Sequence, residues 1–117
     1  MNPEGDNMWE DIIRKRSARE AVERYDDYEF NDLVGSEFDY VITGIKRMYY
    51  PYFHETRKDR FDRRVSKAGD YINQFEYIKA LRILKKIRYM VSQFKEGDIL
   101  PEFDYLIELV EIKGNER

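Results

Sequence analysis

Apolar residues recur at intervals of three and four along almost the whole chain, the spacing of one buried helical face. Trp9, Ile12, Ile13, Ala21, Val22 and Tyr25 form a first stripe and predict a helix over 8–25. Asn7 would cap it, with Glu10 completing a capping box. A short turn over 26–34 is expected to stop at Gly35, with Ser36 capping the next helix. That helix carries Phe38, Val41, Ile42, Ile45, Met48 and Tyr49, and should bend near Pro51. Phe61, Val65, Ala68, Tyr71, Ile72 and Phe75 begin a third stripe. It continues through Ile78, Leu81, Leu84, Ile87, Val91 and Phe94. A break or kink is expected at Gly69, with Asp70 as the new cap. Gly97 suits the end of this helix, and Pro101 suits the first turn of another. Phe103, Leu106, Ile107 and Val110 give the last its inner face. The run 106–112 alternates imperfectly, as an edge strand would, but a lone strand has nothing to pair with, so helix is favoured. The fold class expected is all-α, a small four- to five-helix bundle. Residues 1–6 read as a disordered leader, 7–113 as a single helical domain and 114–117 as a flexible tail.

Composition agrees with a small folded domain bearing a heavily charged surface. The chain has 117 residues, 42% hydrophobic and 38% charged. That length suits one domain with a modest core. Ten tyrosines and seven phenylalanines suit wide core borders or an interface, since a tyrosine buries its ring and keeps a wet tip. Having no cysteine, the chain can form no disulfide and no thiolate metal site, which fits a reducing cytoplasm. No apolar run approaches the roughly 20 residues that span a bilayer, and the polar, acidic start is unlike a signal peptide. No membrane partner is therefore expected.

Charge changes the picture most. Residues 79–95 carry six basic side chains and no acidic one. Residues 20–40 carry Glu20, Glu23, Asp26, Asp27, Glu29, Asp32, Glu37 and Asp39 against Arg24 alone. A net charge of −3 thus conceals strong local fields. Lys79, Arg82 and Lys86 share one side of a helix, and Lys85 and Arg88 flank a neighbouring stripe. A second basic run holds Arg57, Lys58, Arg60, Arg63, Arg64 and Lys67. Arg57, Arg60, Arg63, Arg64, Lys79, Arg82, Lys85, Lys86 and Arg88 are the candidate partner- or phosphate-binding residues. Asp26, Asp27, Glu29 and Asp32 are the candidate acidic docking patch. The competing reading is a set of solvated faces that neutralise one another within the fold.

Catalytic chemistry finds little purchase. His54 is the only histidine, and no metal-ligand spacing surrounds it. Ser17, Ser36, Ser66 and Ser92 fall in no nucleophile motif, and the glycines form no phosphate-cradling loop. No catalytic residue, metal ligand or cofactor is assigned.

Two stretches carry a family resemblance. Residues 9–20, followed by Tyr25-Asp-Asp-Tyr28, are similar to the opening helix of the helical domain of the archaeal GINS replication family. Residues 77–87, followed by Arg88-Tyr-Met-Val91, resemble that domain's long basic helix, and 101–106 resembles the helix after it. Arg82 lies four rather than three residues before the Lys86-Ile87 pair, and the basic run 57–67 has no counterpart. The resemblance implies a noncatalytic subunit that joins a replicative helicase to its cofactors. The expected function is therefore a protein-interaction subunit or adaptor working through segregated charged faces, with another protein or a second copy as partner. The alternative is a nucleic-acid-binding regulator that contacts phosphates through its basic helices, against which the acidic pI of about 5.3 weighs.

Overall fold

The computed structural model describes residues 17–93 and 99–116. The leader over 1–6, the Asn7–Glu10 capping box and the stop at Gly97 lie outside the described residues. Within them are five α-helices and no strand. They are α1 (Ala18–Arg24), α2 (Asp27–Met48), α3 (Glu55–Asn73), α4 (Tyr77–Val91) and α5 (Leu100–Asn115), with a 3-10 turn over Tyr50–Tyr52 between α2 and α3. Helices α2, α3, α4 and α5 pack in a ring, each against the next and α5 back against α2, while α1 lies on α5. In such a ring α2 and α4 are diagonal, so the α3–α4 side of the bundle lies opposite the α2–α5 side. The expected all-α bundle is therefore observed, and 106–112 is helix.

Local chemistry explains most boundaries. Ser17 caps α1, its Oγ accepting the Glu20 N–H at 3.2 Å. The backbone at Ser17 is not helical, so α1 starts at residue 18, and the part of the expected helix over 8–16 lies outside the described residues. Asp26 and Glu29 form a reciprocal capping box. The Glu29 N–H donates to Asp26 Oδ1 at 2.8 Å, and the Asp26 N–H donates to Glu29 Oε1 at 3.3 Å. From that start α2 runs straight through Gly35, contrary to the expected stop and the Ser36 cap. The reason is packing. Phe30, Val34, Phe38, Val41, Ile42 and Ile45 are all buried along one stripe. Each large apolar side chain contributes roughly 1.5–3 kcal/mol on burial, against about 1 kcal/mol for a mid-helix glycine.

The expected break at Gly69 is absent as well. Helix α3 passes through Gly69 and Asp70 to Asn73. The chain turns instead at Gln74, Phe75 and Glu76, where Phe75 is left-handed with φ 60°. The Glu76 N–H donates to Tyr71 O at 2.8 Å and the Phe75 N–H to Ile72 O at 3.0 Å. These are the paired bonds of a Schellman ending. The Phe75 ring sits edge-on to Tyr28 at 5.8 Å and to Tyr77 at 6.4 Å. Helix α5 also outlasts its expected end. Gly114 is buried within it, and a Cβ there would lie 3.1 Å from Ile78 Cγ1. The glycine thus lets α5 close on the start of α4.

The core between the helices is apolar throughout. Phe30, Phe61, Phe103, Ile45, Leu84, Ile87, Leu106 and Leu109 are fully buried, and no polar side chain among the described residues is. At the edge, the Tyr77 hydroxyl donates to Asn31 Oδ1 at 2.8 Å and its ring meets Phe30 edge-on at 5.7 Å. Lys113 lies over the Phe30 ring at 5.3 Å and pairs with Asp27 at 3.0 Å.

The continuity of α2 can be tested at Gly35. A Cβ there meets nothing within 4 Å, and the backbone is helical. Gly35→Ala is therefore expected to stabilise the protein by about 0.5–1 kcal/mol, seen as a higher urea midpoint. A lower midpoint would contradict the continuous helix. The buried tyrosines make a second prediction, at alkaline pH. Burial, then the charge of Asp27, pushes the Tyr77 hydroxyl up to about 12; burial, then Glu37, does the same for Tyr105. Unfolded tyrosines ionise near 10, so this stability is complete below about pH 10 and lost as pH rises from about 10 to 12. Tyr77→Phe should lower neutral-pH stability by about 1 kcal/mol through the lost hydrogen bond, yet flatten the alkaline decline. Denaturant titrations of both proteins across the alkaline range check this; equal slopes would remove Tyr77 as a cause.

Candidate functional site

The basic residues fall into sides of helices as their spacing dictates. On α3, Arg57, Arg60, Arg64 and Lys67 follow one another at three, four and three residues and so form a single row. On α4, Lys79, Arg82 and Lys86 do the same. The tight turn at Phe75 makes α3 and α4 antiparallel neighbours, and their register is fixed where Lys79 Nζ lies 5.9 Å from the centre of the Tyr71 ring. Seven residues back from Tyr71 is Arg64, and seven on from Lys79 is Lys86. The two rows therefore run side by side along the α3–α4 side of the bundle, separated by about the 8–10 Å of packed helix axes.

The carboxylates of this hairpin lie mainly at its ends and flank. Asp70 and Glu76 stand at the turn end, beyond Lys67 and before Lys79. Asp62 accepts the Tyr50 hydroxyl proton at 2.9 Å, on the flank of α3 beside the 3-10 turn. That bond, with burial and the charges of Asp62, Glu55 and Asp59, raises the Tyr50 pKa, which puts these three acids around one phenol. Helix α4 contains no acidic residue at all. Among the described residues Arg60, Arg64, Lys67, Arg82 and Lys86 have no ion pair. Arg57 lies over the Phe53 ring at 5.6 Å. Burial, and then the neighbouring charge of Arg60, lowers the Arg64 pKa. Crowded like charges are present here, not a neutralised network.

Other expected site residues are placed differently. Lys85 pairs with Glu111 at 3.5 Å, and Arg88 with Asp104 at 2.9 Å, so both turn from the basic rows toward α5. Arg63 also leaves the row, its Nε donating to Asp59 O at 3.4 Å. The acidic patch is largely absorbed by the fold. Asp26 and Glu29 cap α2, Asp27 holds Lys113, and Asp32 stays exposed on α2 without an ion pair among the described residues. Burial works against the Lys113 charge, but its bonds to Asp27 and Glu116 outweigh this and raise its pKa. Lys67 belongs to the basic face although it was not among the candidates; its three-residue step from Arg64 was the signal.

Each part of the fold carries an excess of one sign. Residues 55–91 hold eleven Lys or Arg and five Asp or Glu, an excess of six positive charges. The remaining described residues, 17–54 and 99–116 but for 92 and 93, which are uncharged, hold five Lys or Arg and thirteen Asp or Glu, an excess of eight negative charges. His54 sits exposed at the start of α3 with no side-chain capping bond. No group of three or more His, Asp or Glu among the described residues is placed to hold a metal ion. No described helix is long and apolar enough to cross a membrane. Comparison with protein-family profiles, curated proteins and solved structures finds no match.

Exposed charges with and without partners should respond oppositely to neutralisation. Lys86→Gln relieves repulsion and is expected to leave stability unchanged or raise it by a few tenths of a kcal/mol, with the gain fading in high salt. Arg88→Gln breaks a bidentate pair with Asp104 and should cost about 0.5–1 kcal/mol. Thermal melts of both variants at low and high salt decide between this and a face whose lysine is structurally paired, for which Lys86→Gln would destabilise.

Proposed function

We propose that this protein is a noncatalytic docking module whose α3–α4 side binds a polyanionic surface. The observation that carries the reading is the double row of Arg57, Arg60, Arg64 and Lys67 beside Lys79, Arg82 and Lys86, most of them without a carboxylate partner among the described residues. Such repulsion within a fold is relieved when a polyanion supplies the missing counter-charge. The face is built on two well-packed helices, so it meets a partner with little further ordering. The similarity of 77–91 to the GINS basic helix supports the same kind of role, a subunit that joins others in a replication complex. The lack of cysteine supports a cytoplasmic setting.

Heparin, a sulfated polyanion, tests the availability of this face. Despite a net charge of −3, the protein is expected to be retained on immobilised heparin at about 50 mM salt and released as ionic strength rises. Arg64→Glu/Lys86→Glu should pass through unretained. Arg19→Glu/Arg24→Glu changes the net charge equally on α1, away from the α3–α4 side, and should be retained like the unaltered protein. Equal loss in both variants would mean that only net charge matters, and flow-through of the unaltered protein would sink the proposal.

A further inference from the structure

We infer that the polyanion recognised by the α3–α4 side is the phosphate backbone of nucleic acid, an inference that rests on the docking reading above. The composition of the face separates nucleic acid from an acidic protein. Protein–protein contacts are organised around an apolar centre with depleted charge, whereas contacts to nucleic acid are more polar and much more positive. Here the centre of the face is cationic. Arg60, Lys67, Arg82 and Lys86 are exposed and Arg64 is half-buried. The large apolar side chains exposed on the hairpin, Ile78 and Tyr89, lie near the two ends of α4. An acidic protein would find charge on this face but no apolar anchor at its middle.

The geometry suits a strand of phosphates. Each row advances about 5 Å per helical turn, so cations repeat along it at roughly the spacing of successive phosphates. The row Arg82, Lys86 ends at Tyr89, a residue that is 69% exposed. An exposed ring at the end of a cationic track can stack on an unpaired base, which favours single strands over duplex. The acidic excess lies mainly on the other helices, the α2–α5 side being opposite the α3–α4 side, and salt screens it over a Debye length of about 8 Å at physiological ionic strength. The regular rows offer contacts to successive phosphates, so the recognition inferred is of the backbone and not of sequence.

The test is fluorescence anisotropy of a labelled, mixed-sequence single strand of about 20 nucleotides and of the matching duplex. Both are expected to bind at about 50 mM salt, the single strand more tightly. If Arg57, Arg60, Arg64, Lys67, Arg82 and Lys86 each meet a phosphate, log K should fall against log salt with a slope of roughly −4 to −5. Arg82→Gln/Lys86→Gln, which removes charge without reversing it, should weaken both ligands by about tenfold or more. Tyr89→Ala should weaken the single strand several-fold and leave the duplex unchanged. Circular dichroism of each variant excludes unfolding as the cause. Absence of binding to either oligonucleotide at low salt would overturn the inference. So would binding indifferent to these substitutions, or poly-glutamate competing as well as nucleic acid. Retention on heparin together with any of these results would leave the docking surface standing and remove nucleic acid as its partner.

Discussion

The left-handed turn at Phe75 is the constraint on which the rest depends. A single residue there holds a conformation that costs an L side chain about 1–2 kcal/mol. Glycine would adopt it without that cost. Phenylalanine holds it because its ring is gripped edge-on by Tyr28 and Tyr77, while the backbone closes through bonds to Tyr71 and Ile72. The rings also tie the turn to α2, since Tyr77 packs on Phe30 and bonds to Asn31. One corner thus fixes the reversal of the chain, the α3–α4 register and the attachment of the hairpin to the bundle. The two basic rows are neighbours only because that register holds.

Holding them together opposes folding. Two unit charges about 9 Å apart at a protein surface repel by roughly 0.5–2 kcal/mol before salt screening. Several such pairs are set along the hairpin. The inner faces of the same helices supply the offset: Phe61, Ala68 and Ile72 on α3 meet a core shared with Ala80, Leu84, Ile87 and Val91 on α4. Each apolar residue lost from that seam would leave the repulsion unopposed in part. The cations nearest α5 are the exception, since Arg88 and Lys85 find Asp104 and Glu111. The boundary of the basic face is therefore drawn by α5, which neutralises one edge and leaves the other rows open.

Much of this is legible in the sequence. Helical periodicity located the buried stripes of α2 to α5 except at Ile78, which stands 48% exposed at the start of α4, and spacing alone put Lys79, Arg82 and Lys86 on one side. What failed was the reading of glycines as punctuation. Gly35, Gly69 and Gly114 all lie inside helices: past the first two the buried stripes continue and bury more than a glycine costs, and at the third the close approach of Ile78 leaves no room for a side chain. The true break carries no glycine, and its cause is an aromatic cluster that assembles from α2 and α4, invisible to any local window. The pairing of Lys85 and Arg88 was hidden for the same reason. Their partners, Glu111 and Asp104, come from a helix whose placement is set by tertiary packing. The capping box of Asp26 and Glu29 was readable from spacing, and once it is recognised the two residues cease to be a free acidic patch.

Net charge is a poor guide to what such a molecule binds. At separations well beyond the Debye length only the total of −3 would matter, and it is screened. Within that length the sign is set by whichever side approaches. The hairpin presents an excess of six positive charges and the other described helices an excess of eight negative ones. The molecule therefore behaves as a charge dipole rather than a weak anion. A dipole near a polyanion is oriented before it touches, with α3 and α4 turned inward. On the proposed reading, orientation is thus selected by the same side chains that make the contact. The acidic helices then face outward, where their charge discourages a second polyanion and remains available to a basic neighbour. That division of labour requires the two charge sets to stay on separate sides, and the turn at Phe75 keeps them there.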